Sequence, residues 1–315
     1  MMRRLAAKAG LLSEERGWKK GIVIRAFARD GSYLAGVDFL RDMDDYSRIF
    51  SRAKVLGFEG VQLYLEISRG VLNLNSPEHV LEDLSRRARN EGILLPSLEL
   101  APLQYSFTDP DSSVRQQGIH AVDRALEIAV VLGSPGVLVI PGYVGKMWDP
   151  STSPVPYEDA YQRTLECLCS LTAKAESLDV AMLLEPIWNM FLLSPLELRD
   201  LVDGVASPSC GILFDTGNVT LWGFAEQWIE ILGKRIREIH MKDFRRQVGN
   251  IHGFVPLLAG DVNWPAVTSA ARATGFRGFW IAEQFPYLYH GDLILNHTAL
   301  AMDRILAGVP ATPRF

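Results

Sequence analysis

Glu185, Asp215, His240 and Glu283 are the residues of this chain best suited to chemistry. Each stands at or near the end of a β-type run: DVAMLLE (179–185), CGILFDTGN (210–218), IREIHMK (236–242) and ATGFRGFWIAE (273–283). Alternate residues of a strand face opposite sides. The flanking Leu184, Phe214, Ile239, Met241 and Ala282 are apolar and belong on the outer side, so the four polar residues point inward. Inward carboxylates without a partner would be very costly to bury. Three carboxylates and one imidazole make an oxygen-rich donor set for one divalent cation. Mn2+ suits that set best, with Mg2+ or Co2+ as alternatives, and a structural zinc suits it less well. A single strand-end carboxylate could equally cap a helix or pair with an arginine. Four in succession, at matching parity, read as a site.

What must position them is a repeating frame. VLGFEGVQLYLE (55–66), VLGSPGVLVI (131–140) and ATGFRGFWIAE share a helix end, a Gly-x-x-Gly and a β-branched or aromatic run. The first glycine suits a helix end that needs positive φ. The second lets the chain turn tightly into the strand. Gly57, Gly133 and Gly275 are spaced as two and then four units of about 36 residues. The units between them supply GILLPSLEL (92–100) and the runs ending near Glu185, Asp215 and His240; GIVIRAF (21–27) is a first strand. Strands alternating with helical patterns mean a parallel sheet. Eight such units predict a single (β/α)8 TIM barrel over residues 21–306, with residues 1–20 an N-terminal extension and 307–315 a C-terminal tail. An open doubly wound sheet would want a glycine-rich phosphate loop, and neither G-x-G-x-x-G nor G-x-x-x-x-G-K-[ST] occurs. Active sites of such barrels lie at the C-terminal ends of the strands, where the four residues stand. The Pro- and Ser-rich loop VGKMWDPSTSPVPYED (144–159) is long enough to be a lid over that face.

Bulk properties narrow the function classes. The chain has 315 residues, 48% hydrophobic and 22% charged, with a net charge of -5. That balance is ordinary for a soluble protein with a sizeable core. It argues against a nucleic-acid partner, whose phosphates need a basic face. Cys167, Cys169 and Cys210 give no disulfide framework or zinc-ribbon spacing and are expected to be buried thiols. Lys8, Glu14 and Glu15 break the apolar runs of the first residues, so no signal-peptide core is expected. No run approaches the ~20 apolar residues of a membrane span. A cytoplasmic location with no membrane partner is the expectation.

The segments LFDTGN, IHMKDF, AGDVNWPAV (259–267) and WNMFLLSPLELRDLVD (188–203), taken with the four strand ends, resemble the xylose isomerase-like barrel superfamily, in particular its sugar isomerase and epimerase group with the ketose 3-epimerases. The resemblance spans about residues 21–306. It implies one divalent metal held by Glu185, Asp215, His240 and Glu283, with the two glutamates also serving as acid and base. It implies a small sugar or sugar phosphate as substrate, and further copies of the chain, as dimer or tetramer, are compatible with it. Two positions depart from the pattern. Asn218 stands where several members carry a substrate-contacting histidine, and an amide cannot titrate. Leu258 stands where the first glycine of a Gly-x-Gly is usual, while Gly260 keeps the second.

The expected reaction is C3 epimerisation of a ketose or ketose phosphate through a metal-stabilised enediolate, with Glu185 and Glu283 exchanging the proton from opposite faces. The alternatives are an aldose–ketose isomerase or a sugar or inosose dehydratase on the same scaffold. More remote are a metal-dependent apurinic-site nuclease and a non-catalytic sugar-binding protein. The substrate-binding candidates are Glu66, Trp188, Asn189, Asn218, Lys242 and Arg246. Trp188 could stack on a sugar face. Lys242 could hold an oxyanion or phosphate, or pair with Glu238. Glu99 ends strand three much as Glu66 ends strand two. Asp243 could orient a ligand or cap a loop.

Overall fold

The computed structural model describes residues 17–28, 37–102, 104–147 and 149–308. Eight parallel strands close into a barrel: β1 (Trp18–Val23), β2 (Gly60–Leu65), β3 (Leu98–Leu100), β4 (Gly136–Val139), β5 (Ala181–Leu184), β6 (Cys210–Asp215), β7 (Ile236–Met241) and β10 (Gly278–Ala282). β10 pairs with both β7 and β1, which completes the ring. Among the described residues, eight helices alternate with these strands: α1 (Met43–Val55), α2 (Glu78–Asn90), α3 (Ser112–Leu132), α4 (Tyr157–Leu178), α5 (Pro195–Val205), α6 (Ala225–Leu232), α7 (Trp264–Ala273) and α8 (Asp292–Leu306). The expected (β/α)8 TIM barrel is therefore the observed fold. A short antiparallel pair, β8 (Asp243–Phe244) and β9 (Phe254–Val255), sits on the loop after β7.

β1 opens at Trp18, three residues ahead of the start read from the sequence. The expected N-terminal extension lies almost wholly outside the described residues, as does the C-terminal tail after Gly308. Among the described residues, no helix is long and apolar enough to cross a membrane. Cys167 and Cys210 are buried thiols as expected, whereas Cys169, on the outer face of α4, is exposed.

The repeat glycines divide their work differently from the sequence reading. Gly133 ends α3 with φ 73°, the left-handed helix end expected of it. The second glycine does something else in the first two pairs. A Cβ on Gly60 would meet the Phe279 ring at 2.6 Å, and one on Gly136 would meet Leu183 at 2.8 Å. These positions stay bare to admit a side chain from another strand, Phe279 of β10 and Leu183 of β5, rather than to bend the chain.

Most of the core lies between the barrel and its helices, with Trp18, Phe50, Phe58, Phe214 and Trp280 fully or almost fully buried. A smaller apolar cluster of Leu138, Ile140, Leu183 and Leu213 sits apart from it. Leu183 and Leu213 lie two residues before Glu185 and Asp215, so they share their inward parity. The inner surface is thus apolar on one side and polar towards β7 and β10. That asymmetry positions the site.

Candidate metal centre and substrate cavity

One donor atom from each of Glu185, Asp215, His240 and Glu283 lies within 4.8 Å of every other, and all four residues are buried. The β6–β7 register sets Asp215 opposite His240, and the β10–β7 register sets Ile281 opposite His240, with Glu283 following two residues on. Nδ1 of His240 is 3.2 Å from Glu185 Oε1 and 3.0 Å from Glu283 Oε2. It is 3.8 Å from Asp215 Oδ2. Oδ1 of Asp215 accepts from the backbone N–H groups of Gly217 and Asn218 at 2.8 and 2.7 Å. Its Oδ2 is buried and accepts no hydrogen bond, although the Lys242 ammonium is 3.2 Å away. A buried carboxylate oxygen left over in this way, beside two more carboxylates and an imidazole nitrogen, fits one divalent cation.

The charges of the cluster push one another. Burial disfavours the His240 imidazolium, but Glu185 and Glu283 outweigh it and raise its pKa to about 10. Burial pushes the Asp215 carboxyl up to about 7, against the pull of Lys242. Burial also opposes the Glu283 carboxylate, yet Lys242, His240 and Arg25 hold it well below the ordinary range. Lys242 is itself raised, because Asp215 and Glu283 overcome the cost of its burial.

The cluster opens through its two glutamates onto a cavity of about 570 Å3, within the usual size of a small-molecule site. Glu185, Trp188, Asn218, Lys242 and Glu283 line it. Trp188, Phe254 and Phe285 form an aromatic wall, with successive ring centroids 5.1 and 5.8 Å apart. Asn218 bridges the floor: its Nδ2 donates to Glu185 Oε1 at 3.3 Å, and its Oδ1 accepts from Lys242 at 3.2 Å. Met147 of the long loop after β4 also lines the cavity, and that loop hydrogen-bonds to the backbone at Trp188 and Asn189.

Three substrate-binding candidates lie off the cavity lining. Glu66 is buried and takes hydrogen bonds from Arg69 and Gln104 at 3.4 and 3.2 Å. Asn189 is buried and donates to the Gly142 carbonyl at 2.6 Å. Arg246 donates to the carbonyls of Thr220 and Gly223 at 2.8 and 2.6 Å, and its guanidinium lies over the Phe224 ring. Nor does Lys242 pair with Glu238. Four residues along a strand span roughly 13 Å, and Lys242 instead pairs with Glu283 and Asp215. Asp243 serves the neighbouring loop. Its carboxylate accepts from the N–H groups of Leu258 and Val262 and from Trp264, and so staples the loop before α7. Leu258, in the place of a glycine, adopts φ 73° there.

The buried Arg25, which lines the cavity, escaped the sequence reading as a site residue. It sits in the 3-10 turn after β1, donates two hydrogen bonds to Glu99 and reaches Glu283 Oε1 at 3.3 Å. Its guanidinium lies 5.0 Å from the Tyr64 ring centroid. A lone arginine in an apolar strand was the signal available, since a buried guanidinium demands a carboxylate partner.

A family described as "Xylose isomerase-like TIM barrel" matches residues 50–302 of the chain. A Haemophilus influenzae protein provisionally named an L-ribulose-5-phosphate 3-epimerase is 24% identical over 241 residues, covering 75% of this chain and 82% of its own. The solved structure of a D-psicose 3-epimerase in the presence of D-fructose superposes with a TM-score of 0.72 at 17% identity, over 92% of this chain and 100% of that one. That of an L-ribulose 3-epimerase gives 0.73 at 14% identity, over 91% and 94%. At such identities the structural likeness speaks for the fold; the family match spans most of the barrel. The chain belongs to the xylose isomerase-like TIM barrel family.

Proposed function

We propose that the protein is an enzyme of the sugar isomerase and epimerase class, and that it inverts C3 of a ketose or ketose phosphate. The observation that carries this reading is the set of four buried donors, Glu185, Asp215, His240 and Glu283, two of which, Glu185 and Glu283, line a cavity of sugar size. The names of the relatives agree with it.

Bound among these donors, a divalent cation, Mn2+ with Mg2+ or Co2+ as alternatives, would polarise the ketose carbonyl and make the neighbouring C–H more acidic. The chain's own residues then handle the proton. Glu185 on the loop after β5 and Glu283 after β10 flank the bound sugar, and one removes the C3 proton while the other returns a proton to the opposite face. In the metal-free site Lys242, His240 and Arg25 hold Glu283 ionised, the form that can accept a proton. Asn218 and Lys242 offer a donor and a cation to sugar oxygens, and Trp188 a ring face to sugar C–H groups.

The test is a screen of ketoses and ketose phosphates with Mn2+, following solvent deuterium into C3 and the position of the carbonyl in the product. Label at C3 with the carbonyl unmoved supports epimerisation. Transfer of the carbonyl to C1 would replace it with aldose–ketose isomerisation, and loss of water with dehydration.

A further inference from the structure

Beside His240, the barrel interior holds a line of polar side chains that the proposed chemistry leaves unused. Gln62 of β2, Ser97 just before β3 and Glu238 of β7 are all buried. Oε1 of Gln62 lies 2.9 Å from Nε2 of His240, and its Nε2 lies 2.8 Å from the Ser97 hydroxyl. That hydroxyl is 2.5 Å from Oε2 of Glu238. The line therefore starts at a metal-site imidazole, crosses to β2 and β3, and ends on a carboxylate of the same strand it started from.

Each link has one consistent direction. The Ser97 hydroxyl donates its single proton to Glu238 Oε2, an oxygen that in the carboxylate form only accepts. Ser97 then accepts from the Gln62 amide N–H. The other end of that amide, its carbonyl oxygen, faces His240 and can only accept. Nε2 of His240 therefore keeps its hydrogen, and Nδ1 is the ring nitrogen that gives a lone pair once the imidazolium has lost a proton. That nitrogen faces Glu185, Asp215 and Glu283. Run in the opposite sense, the line would turn the amide N–H towards Nε2 and leave a hydrogen on Nδ1, aimed where a cation would sit.

We propose that Glu238, acting through Ser97 and Gln62, is a positioning residue that reserves Nδ1 of His240 for the cation. This rests on the metal reading of the site given above. Ligating imidazoles commonly give their other N–H to an acceptor that sets tautomer and ring orientation. Here the acceptor is a neutral amide, which could turn either way, and a carboxylate two links away settles which way it turns.

The experiment measures Mn2+ affinity, by electron paramagnetic resonance of the free ion, for wild type, Gln62→Leu and Glu238→Gln. Ring-15N-histidine NMR of the Mg2+-loaded wild type accompanies it and needs no substitution. A protonated Nε2 and a bare Nδ1 on His240 are expected in the wild type. Gln62→Leu should bind Mn2+ 10–100-fold more weakly, a loss of about the size seen when a metal ligand's supporting partner is removed. Glu238→Gln, which gives the end of the line a donor, should bind about tenfold more weakly although it touches no ligand atom. Wild-type affinity in both variants, or a hydrogen on Nδ1 of the loaded wild type, overturns the proposal and leaves the metal reading standing. Failure of the wild type to bind Mn2+ overturns both.

Discussion

The ammonium of Lys242 lies 2.8 Å from Oε2 of Glu283, the same oxygen that lies 3.0 Å from Nδ1 of His240. One carboxylate oxygen thus faces two cationic groups in a site where Asp215 and Glu185 add further negative charge. Lys242 acts as the built-in counter-ion of the metal-free site. Lys242→Met leaves Asp215 and Glu283 short of positive charge in a buried place, which costs about 3–5 kcal/mol. A divalent cation supplies that charge again. Urea unfolding should therefore show a large loss of stability without Mn2+ and a much smaller one with it. An equal loss under both conditions would mean that Lys242 does not share the cation's electrostatic role.

Glu185 and Glu283 are assigned the two proton transfers. Replacing either by Gln keeps the shape and removes the base. Solvent-deuterium exchange at C3 should fall by at least ~100-fold in each single variant, the scale of a lost acid–base group. Exchange at the wild-type rate in either variant would remove that residue from the mechanism.

Cation uptake should release protons. With its pKa raised to about 10 by Glu185 and Glu283 against the effect of burial, His240 is protonated in the metal-free protein at neutral pH. A ligating imidazole must lose one of those protons. Between about pH 7.5 and 9, each Mn2+ bound should expel about one proton, and affinity should rise about tenfold per pH unit. Below about pH 7 the Asp215 carboxyl, which burial raises, adds a second proton and steepens the slope. The sign of the stability effect is the same for the two groups, because both folded pKa values are raised, and only the pH window differs. His240 has a raised folded pKa, so its contribution is full below its unfolded pKa and lost as pH rises through about 10. Asp215 is a raised acid, so ionising it costs the fold stability as pH rises towards 7. Calorimetry of Mn2+ binding in buffers of different ionisation enthalpy counts the protons; heats independent of buffer would contradict the protonated imidazole.

Arg25 and Glu99 should behave as a unit. Arg25→Leu strands the buried Glu99 carboxylate and should cost about 3–5 kcal/mol. Arg25→Leu with Glu99→Leu removes both charges and should recover much of that loss, although Glu283 loses a neighbour in either case. A double-mutant cycle by chemical denaturation measures the coupling. Simple additivity of the two single losses would show that the pair is not an energetic unit.

The four donors were legible because strand ends and parity are one-dimensional properties. Period two decides which side Glu185, Asp215, His240 and Glu283 face, and barrel closure then gathers them. Arg246 shows the opposite case. It lies on a loop, and the path of that loop, not its place in the sequence, sends its guanidinium to the carbonyls of Thr220 and Gly223. Gln62 and Arg25 were missed for another reason. Their roles come from neighbours on other strands, His240 for one and Glu99 with Glu283 for the other, and no local pattern encodes such pairs. Gly60 belongs with them: its missing side chain answers to Phe279, far along the chain.

The aromatic wall of Trp188, Phe254 and Phe285 bears on the traffic through the pocket. An epimerase must release a molecule with the atoms it took in, changed only in the direction of one hydroxyl. A wall of ring faces has few hydrogen-bond geometries for that change to violate, so both epimers can rest against it on similar terms. On the proposed reading, the polar floor would tell the two epimers apart at the carbon being inverted. Like any catalyst the pocket sets no equilibrium, and the epimer present above its equilibrium share would decide which way the reaction runs.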